Sequence, residues 1–264
     1  MSEGKYFWNN PHFWNALRFL TVIPTPSMDH VEDDWLMRAA KYFPLVGIIV
    51  GSFSAIVLLL AGEIWRGLLP PLLAIAAGIV LSGALHEDGL ADTADGFGGG
   101  RSRESRLAIM KDSRIGTYGT LALGLTVALR VAAVAALPPW IGAASLIAAH
   151  AGGRLAAAAV MTNLPYAGDP AATKLTYVDA PLRRTEIALA VIFMLAAWLP
   201  LARTGVLAAL IGVLAGAALA GWLVGCARRL IGGYTGDVLG AIEQVFEVGF
   251  LLGVAAVLRG ASWN

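Results

Sequence analysis

Charge is what this sequence holds least of. Asp, Glu, Lys and Arg make up 14% of its 264 residues, against roughly 25% in a soluble domain. With 58% of residues hydrophobic and a mean hydropathy of +0.70, the apolar surplus calls for lipid as its solvent and excludes an ordinary water-soluble domain. The net charge of +1 gives no basic excess, so nucleic acid is excluded as a partner. Cysteine is nearly absent. Cys226 stands alone in an apolar run, so no intramolecular disulfide can form and the redox compartment goes unmarked. Internal repeats and a separate soluble domain are missing too. A cleavable leader is not expected, because Lys5, Arg18, Asp29, Glu32, Asp33, Asp34, Arg38 and Lys41 punctuate residues 1–41.

Long apolar runs are abundant. A spanning helix needs about 20 apolar residues, and such runs cover about 42–62, 68–85, 115–137, 140–161, 187–202, 204–226 and 236–258. The expected fold class is therefore all-α: a polytopic membrane helix bundle of about seven transmembrane helices, one domain over 1–264. The fifth run is short, and Pro200–Gly205 blurs its boundary with the sixth. Within the N-terminal segment 1–41, Phe13, Trp14, Leu17 and Leu20 recur at helical spacing. That stretch reads either as an interfacial amphipathic helix or as a segment packed on the bundle. The Gly- and Ala-rich stretch Gly212–Gly225 suits close helix packing in lipid; a homo-oligomer is left open.

Basic residues set the expected orientation. With the N-terminus inside, the inner set is Lys5, Arg18, Arg38, Lys41, Arg101, Arg103, Arg106, Lys111, Arg114, Lys174, Arg183, Arg184, Arg228 and Arg229. The outer set is Arg66, Arg203 and Arg259. Fourteen against three puts the N-terminus in the cytoplasm and the C-terminus outside. The two long connections, 86–114 and 162–186, then face the cytoplasm of a bacterial-type inner membrane. Trp65 and Trp140 fall at span ends, where amphipathic rings favour the interface.

The dense chemistry lies in His86–Gly119, HEDGLADTADGFGGGRSRESRLAIMKDSRIGTYG. Asp88, Asp92 and Asp95 are spaced i, i+4, i+7, which on a helix places them within about 60° of one another. Three carboxylates on one stripe repel unless a cation sits among them. Hard oxygen ligands suit Mg²⁺, which keeps waters and substrate phosphates as its other ligands. A solvated acidic helix end is the bland alternative. Glu87 points about 100° from Asp88 and is the weaker candidate; His86 lies roughly opposite the stripe, and no general base is identified.

Gly96, Gly98 and Gly99, with Gly100, allow φ > 0 and close backbone approach to a ligand. Exposed N–H groups in such a turn can hold phosphate oxygens; a flexible loop is the alternative. Lys111 and Arg114 can neutralise a diphosphate, or simply anchor the loop, as expected of Arg101, Arg103 and Arg106. Arg154, in the cytoplasmic third of the fourth run, is a substrate-binding candidate. His150 reads better as a group bonding between helices, and Arg130, toward the outer side, as a snorkelling side chain or one of an interhelical pair. In the seventh run Asp237, Gly240, Gln244 and Glu247 share one face; Asp237 at its start is a substrate-binding candidate that could also complete the metal site, with interior packing polarity as the alternative.

HEDGLADTADGFGGG followed by KDSRIGTYG resembles the cobalamin synthase family of adenosylcobinamide-GDP ribazoletransferases. FLTVIPTP, YFPLVGIIVG and GGYTGDVLGA resemble further blocks of that family in the right order, so the likeness covers most of the chain. It implies a transferase joining adenosylcobinamide-GDP to α-ribazole, or its 5′-phosphate, with release of GMP. The expected partners are those substrates and the lipid bilayer, and the expected cofactor is Mg²⁺. One block departs: Pro165-Tyr166 is followed by Ala167-Gly168-Asp169 where the family usually has a basic residue, so that loop is assigned no substrate contact. The rival readings are a CDP-alcohol phosphotransferase or prenyltransferase, and a transporter. Against the first, Ala91 is followed by Asp92 rather than Arg. Against the second, only one Asp-rich segment is obvious. The third lacks paired repeats.

Overall fold

The computed structural model describes residues 10–26, 33–169 and 181–258. Lys5, Asp29, Glu32, Lys174, Arg259 and the middle of the 162–186 connection lie outside the described residues. Eleven α-helices account for the described chain, with no strand among the described residues. Six of them are long and apolar enough to cross a bilayer: α3 (Phe43–Ile64), α7 (Thr117–Ala135), α8 (Pro139–Asn163), α9 (Arg184–Thr204), α10 (Val206–Leu230) and α11 (Gly236–Val257). Prolines open several of them, Pro44 in α3 and Pro139 in α8, where the missing N–H has no carbonyl to seek. The α9–α10 boundary falls at Gly205, one turn after Pro200.

The expected second span does not run straight. α4 (Leu69–Leu81) has 13 residues, about 20 Å of helix, short of an apolar core about 30 Å thick. It then turns by 90° into α5 (Leu85–Gly99). Two consecutive left-handed residues make the corner, Gly83 (φ 63) and Ala84 (φ 56). Their N–H groups donate to the last carbonyls of α4, Gly83 to Val80 (3.1 Å) and Ala84 to Ile79 (2.9 Å). The bent pair α4–α5 is either a seventh, broken span or a re-entrant segment, so the described residues hold six spans or seven. Much of 86–114 is accordingly helix rather than loop: most of α5, then α6 (Arg103–Met110).

The N-terminal segment packs on the bundle. α1 (Pro11–Leu20) is capped by Asn10, whose Oδ1 accepts from the His12 N–H (3.0 Å), and buries Phe13, Leu17 and Leu20. α2 (Trp35–Ala40) leads into α3. Beyond α1, the Val22 N–H donates to the Leu81 carbonyl at the end of α4 (2.9 Å), which braces the corner.

One end of the bundle gathers the starts of α3, α9 and α11, the ends of α8 and α10, and α6. Arg38 and Lys41 reach Glu186 at the start of α9 (2.5 and 3.1 Å). Tyr166, just past α8, pairs with Tyr234, just before α11, as an isolated parallel bridge. Arg103 on α6 donates to the Ile231 carbonyl past α10 (2.9 Å) and to Ala167 (2.8 Å). The opposite end carries Trp65 and Trp140, both exposed at helix termini.

The corner gives a stability test. A Cβ on Gly83 would sit 2.9 Å from Val22 Cγ1 at a φ that side chains disfavour. Gly83→Ala should lower unfolding stability by roughly 1–2 kcal/mol, read as a drop in Tm of the purified protein. An unchanged Tm would show that the corner tolerates a side chain.

Candidate active site

Helix α5 carries HEDGLADTADGFGG inside the bundle, packed on α11 and α7. Glycine lets it approach so closely. A Cβ on Gly89 would lie 2.7 Å from the Asp237 carbonyl oxygen, and one on Gly240 would lie 3.1 Å from His86 Cα. Backbone contact at Gly89 and Gly240 is what sets Asp88 of α5 beside Asp237 of α11. Thr235 caps α11 by accepting from the Val238 N–H (3.3 Å), and its hydroxyl donates to Asp237 (3.3 Å). Asp92 lies in the field of Asp88, Asp237 and Asp95.

The acidic groups of α5 differ in what neutralises them. Glu87 pairs with Arg130 of α7 (3.1 Å). Asp95 accepts from the N–H groups of Gly116 (2.7 Å) and Gly119 (2.9 Å) at the start of α7, where the helix dipole favours an anion. A Cβ on either glycine would strike that carboxylate. Asp88 and Asp92 receive no hydrogen bond or ion pair to their side chains from the described residues, and Asp237 receives the Thr235 hydroxyl and its own backbone N–H but no cation. These three are the acids left for an external cation.

Behind them runs a buried ionic network. Arg130 also holds Glu247 of α11 (3.0 Å), Glu247 meets His150 of α8 (2.5 Å), Arg154 of α8 meets Glu243 (2.6 Å), and Glu243 meets His86 of α5 (3.0 Å). Charges this deep in an apolar bundle persist only as partners. Among the described residues, His150, Glu243 and Glu247 are a trio of ligand-type groups lying within 4.8 Å of one another, but the guanidiniums of Arg130 and Arg154 already fill that role.

The other candidate residues are placed as follows. Gly96, Gly98 and Gly99 form the last turn of α5 rather than an exposed turn. Gly96 lies under Met110 and Arg106, and Gly98 under the ring of Tyr118. Their role in the structure is close packing, and the C-terminal end of a helix is the end that repels phosphate. Arg154 is buried in the network, not at the surface beside the stripe. Lys111 and Arg114 are exposed on the α6–α7 connection, which Gly116 ties to Asp95. Arg114 is paired with Asp112 (2.6 Å) and, by side-chain and then backbone hydrogen bonds, holds that carboxyl down at about 2. Arg103 and Arg106 are not free anchors. Both reach toward carbonyls at the end of α10, Arg106 to Leu230 at 3.5 Å, a position where cations are favoured.

A cavity of about 160 Å³ opens beside Asp88 and Asp237. His86 and Glu243 form its polar side, and Phe19, Leu36, Phe43, Leu85, Met161 and Leu239 are among its apolar walls.

The profile of the family described as cobalamin-5-phosphate synthase matches residues 12–255. The chain belongs to that family. Among the relatives of this synthase-family chain, the adenosylcobinamide-GDP ribazoletransferase of Bradyrhizobium diazoefficiens is 43% identical over 250 residues, 93% of each chain. Those of Leptothrix cholodnii (41%, covering 91% of this chain and 93% of the relative) and Shewanella frigidimarina (39%, 93% and 94%) carry the same name. No solved structure matches the chain.

The departure from the family pattern at Pro165-Tyr166 has a structural setting. The Ala167 N–H donates to Tyr234 (2.8 Å) and Tyr234 to Pro165 (3.0 Å), so this loop is tied under the start of α11. The sequence does not reveal the cavity, whose walls come in part from α1, α2 and α3. The signal was the apolar spacing of Phe13–Leu20 together with FLTVIPTP, which points to an interfacial helix or a segment packed on the bundle but to no cavity.

Two kinds of acid should respond differently to replacement. Asp95→Ala removes the acceptor at the start of α7 and should cost roughly 1–2 kcal/mol. Arg130→Met strands Glu87 and Glu247 and should cost about 3–5 kcal/mol. Asp88→Ala should stay within about 0.5 kcal/mol or raise stability, because it removes repulsion. Thermal unfolding in one detergent checks all three; equal losses would contradict the division.

Proposed function

We propose that the chain joins α-ribazole, or its 5′-phosphate, to adenosylcobinamide-GDP and releases GMP. The observation that carries this is the meeting of Asp88, Asp92 and Asp237 without a protein cation, at the bundle end that also bears the basic α6–α7 connection. Family membership and the names of the relatives support the substrate pair. The aspartates fit Mg²⁺: three carboxylates on two helices, fixed by the Gly89–Gly240 contact, with no competing Lys or Arg. When bound, Mg²⁺ would supply positive charge to the diphosphate and to the phosphate that leaves.

The residues then divide the work. Asp88 and Asp92 on α5, with Asp237 on α11, would hold the ion. Lys111 and Arg114 reach the diphosphate from the 111–116 connection, Arg114 exchanging Asp112 for a phosphate oxygen. Asp95 keeps that connection against α5 through Gly116. The ribose 3′-oxygen attacks the phosphorus that bears the cobinamide. The new O–P bond forms as the bond to the GMP phosphate oxygen breaks, and the hydroxyl proton is released. Arg154 acts through Glu243, holding the α8–α11 face rather than touching substrate.

The site is proposed to face the cytoplasm of a bacterial-type inner membrane. The end that carries it holds Arg38, Lys41, Arg103, Arg106, Lys111, Arg114, Arg183, Arg184, Arg228 and Arg229, while among described residues Arg66 and Arg203 lie at the other end. That asymmetry supports the orientation. A thiol introduced at Ser105 should be unreachable by impermeant reagent in intact cells; labelling from outside would overturn it.

Turnover tests the reaction. Purified protein with Mg²⁺, adenosylcobinamide-GDP and α-ribazole should release GMP and stop on chelation. Asp88→Asn and Asp92→Asn should each lower kcat/KM by roughly 100-fold or more, about 2.7 kcal/mol of lost transition-state stabilisation. Near-normal GMP release by both variants would sink the assignment of these aspartates.

A further inference from the structure

The cavity beside Asp88 and Asp237 has a composition that selects between the two substrates. It is enclosed by the N-terminal segment, the first turn of α5, the end of α8 and the start of α11. Phe19 and Phe43 stack with ring centroids 6.2 Å apart and planes 24° apart, and both line the cavity. Leu36, Leu239 and Met161 complete an apolar shell. No Lys or Arg is among the lining residues, whereas Asp88, Asp237 and Glu243 are. Away from Asp88 and Asp237 the walls offer a phosphate no Lys or Arg and suit an uncharged, largely apolar group. A macrocycle with its side chains exceeds 160 Å³, since a dry cavity of about 150 Å³ holds one benzene.

By the same measure the enclosed space takes the six-membered ring of a flat, weakly polar heteroaromatic system, with the rest of that system standing toward the open mouth. Apolar walls with a few convergent polar groups are the usual design for such ligands. Ribazole carries a ring system of this kind, a methylated benzimidazole on ribose. We infer that the cavity is the seat of the acceptor's base, an assignment that rests on the transfer reaction proposed above. The base lies between the Phe19–Phe43 wall and Met161. His86 and Glu243, paired at 3.0 Å, face its ring-nitrogen edge. The ribose stands at the mouth against Asp88 and Asp237, whose carboxylates accept from its hydroxyls. Its 3′-oxygen is thereby directed to the place where the diphosphate meets Asp88 and Asp92. The N-terminal segment thus has a use beyond packing: α1 and α2 close the acceptor subsite.

Steady-state kinetics in lipid nanodiscs, varying each substrate separately, test this. Ala157→Leu and Met161→Phe narrow the cavity from α8, and each should raise KM for α-ribazole by roughly 10-fold or more while leaving KM for adenosylcobinamide-GDP within about twofold. Met161→Ala widens it and should improve the use of a ribazole bearing a larger ring relative to the natural one. Should the narrowed variants fail to insert, titrating the intrinsic fluorescence of α-ribazole with wild-type protein decides: displacement by free dimethylbenzimidazole supports the assignment, and displacement only by GDP overturns it. An unchanged KM for α-ribazole in the narrowed variants, or a rise confined to the corrinoid, overturns it as well. Loss of α-ribazole binding on adding lipid alone would make the cavity an acyl-chain site and overturn it too. Wild-type protein that releases no GMP at all would instead remove the reaction itself, a distinct result.

Discussion

A helix with five carboxylate-bearing or imidazole side chains in its first eleven residues, His86, Glu87, Asp88, Asp92 and Asp95, lies inside a bundle made mostly of alanine, leucine, valine and glycine. The balance of charge on α5 is the constraint on which the rest depends. Buried ions are strongly penalised unless matched, and α7, α8 and α11 supply the match. Arg130 takes Glu87 and Glu247, Arg154 takes Glu243, and the start of α7 takes Asp95. These same contacts fix where α5 sits. Asp88 and Asp92 stay unmatched on the face turned toward Asp237. Strain at one place accompanies this arrangement: Ala84 adopts a left-handed conformation, which side chains disfavour by about 1–2 kcal/mol, so that α4 can stop short and α5 can turn into the bundle.

The spans were legible because apolar runs of membrane length have one reading. Their boundaries differ from the observed helices by only a few residues, and the blurred fifth–sixth boundary resolves at Gly205. The corner at Gly83–Ala84 was not legible. Residues 68–85 form one apolar run, and nothing in a hydropathy pattern marks two residues with positive φ. The i, i+4, i+7 spacing rightly put Asp88, Asp92 and Asp95 on one stripe of a helix. It could not show that Asp95 would meet Gly116 and Gly119, because that contact joins residues 21 and 24 apart.

The glycines show the same limit from another side. FGGG beside aspartates suggests a phosphate turn by composition, yet Gly96 and Gly98 are helical and make room for Met110 and Tyr118. Gly89 and Gly240, less conspicuous in the sequence, are the pair that brings Asp88 to Asp237. Intramembrane polar groups fared better. Arg130 and His150, read as interhelical partners, pair with Glu247. Arg154 pairs deeper than a substrate contact would, because Glu243 faces it from α11.

The proposed function turns on the unmatched acids receiving a divalent cation. Mn²⁺, a paramagnetic stand-in for Mg²⁺, allows binding to be followed directly by electron paramagnetic resonance on the purified, detergent-solubilised protein. Saturable Mn²⁺ binding that competes with Mg²⁺ is predicted for the wild type. The Asp88→Asn/Asp92→Asn double variant should lose it while keeping the wild-type Tm. Undiminished Mn²⁺ binding by a folded double variant would contradict the account.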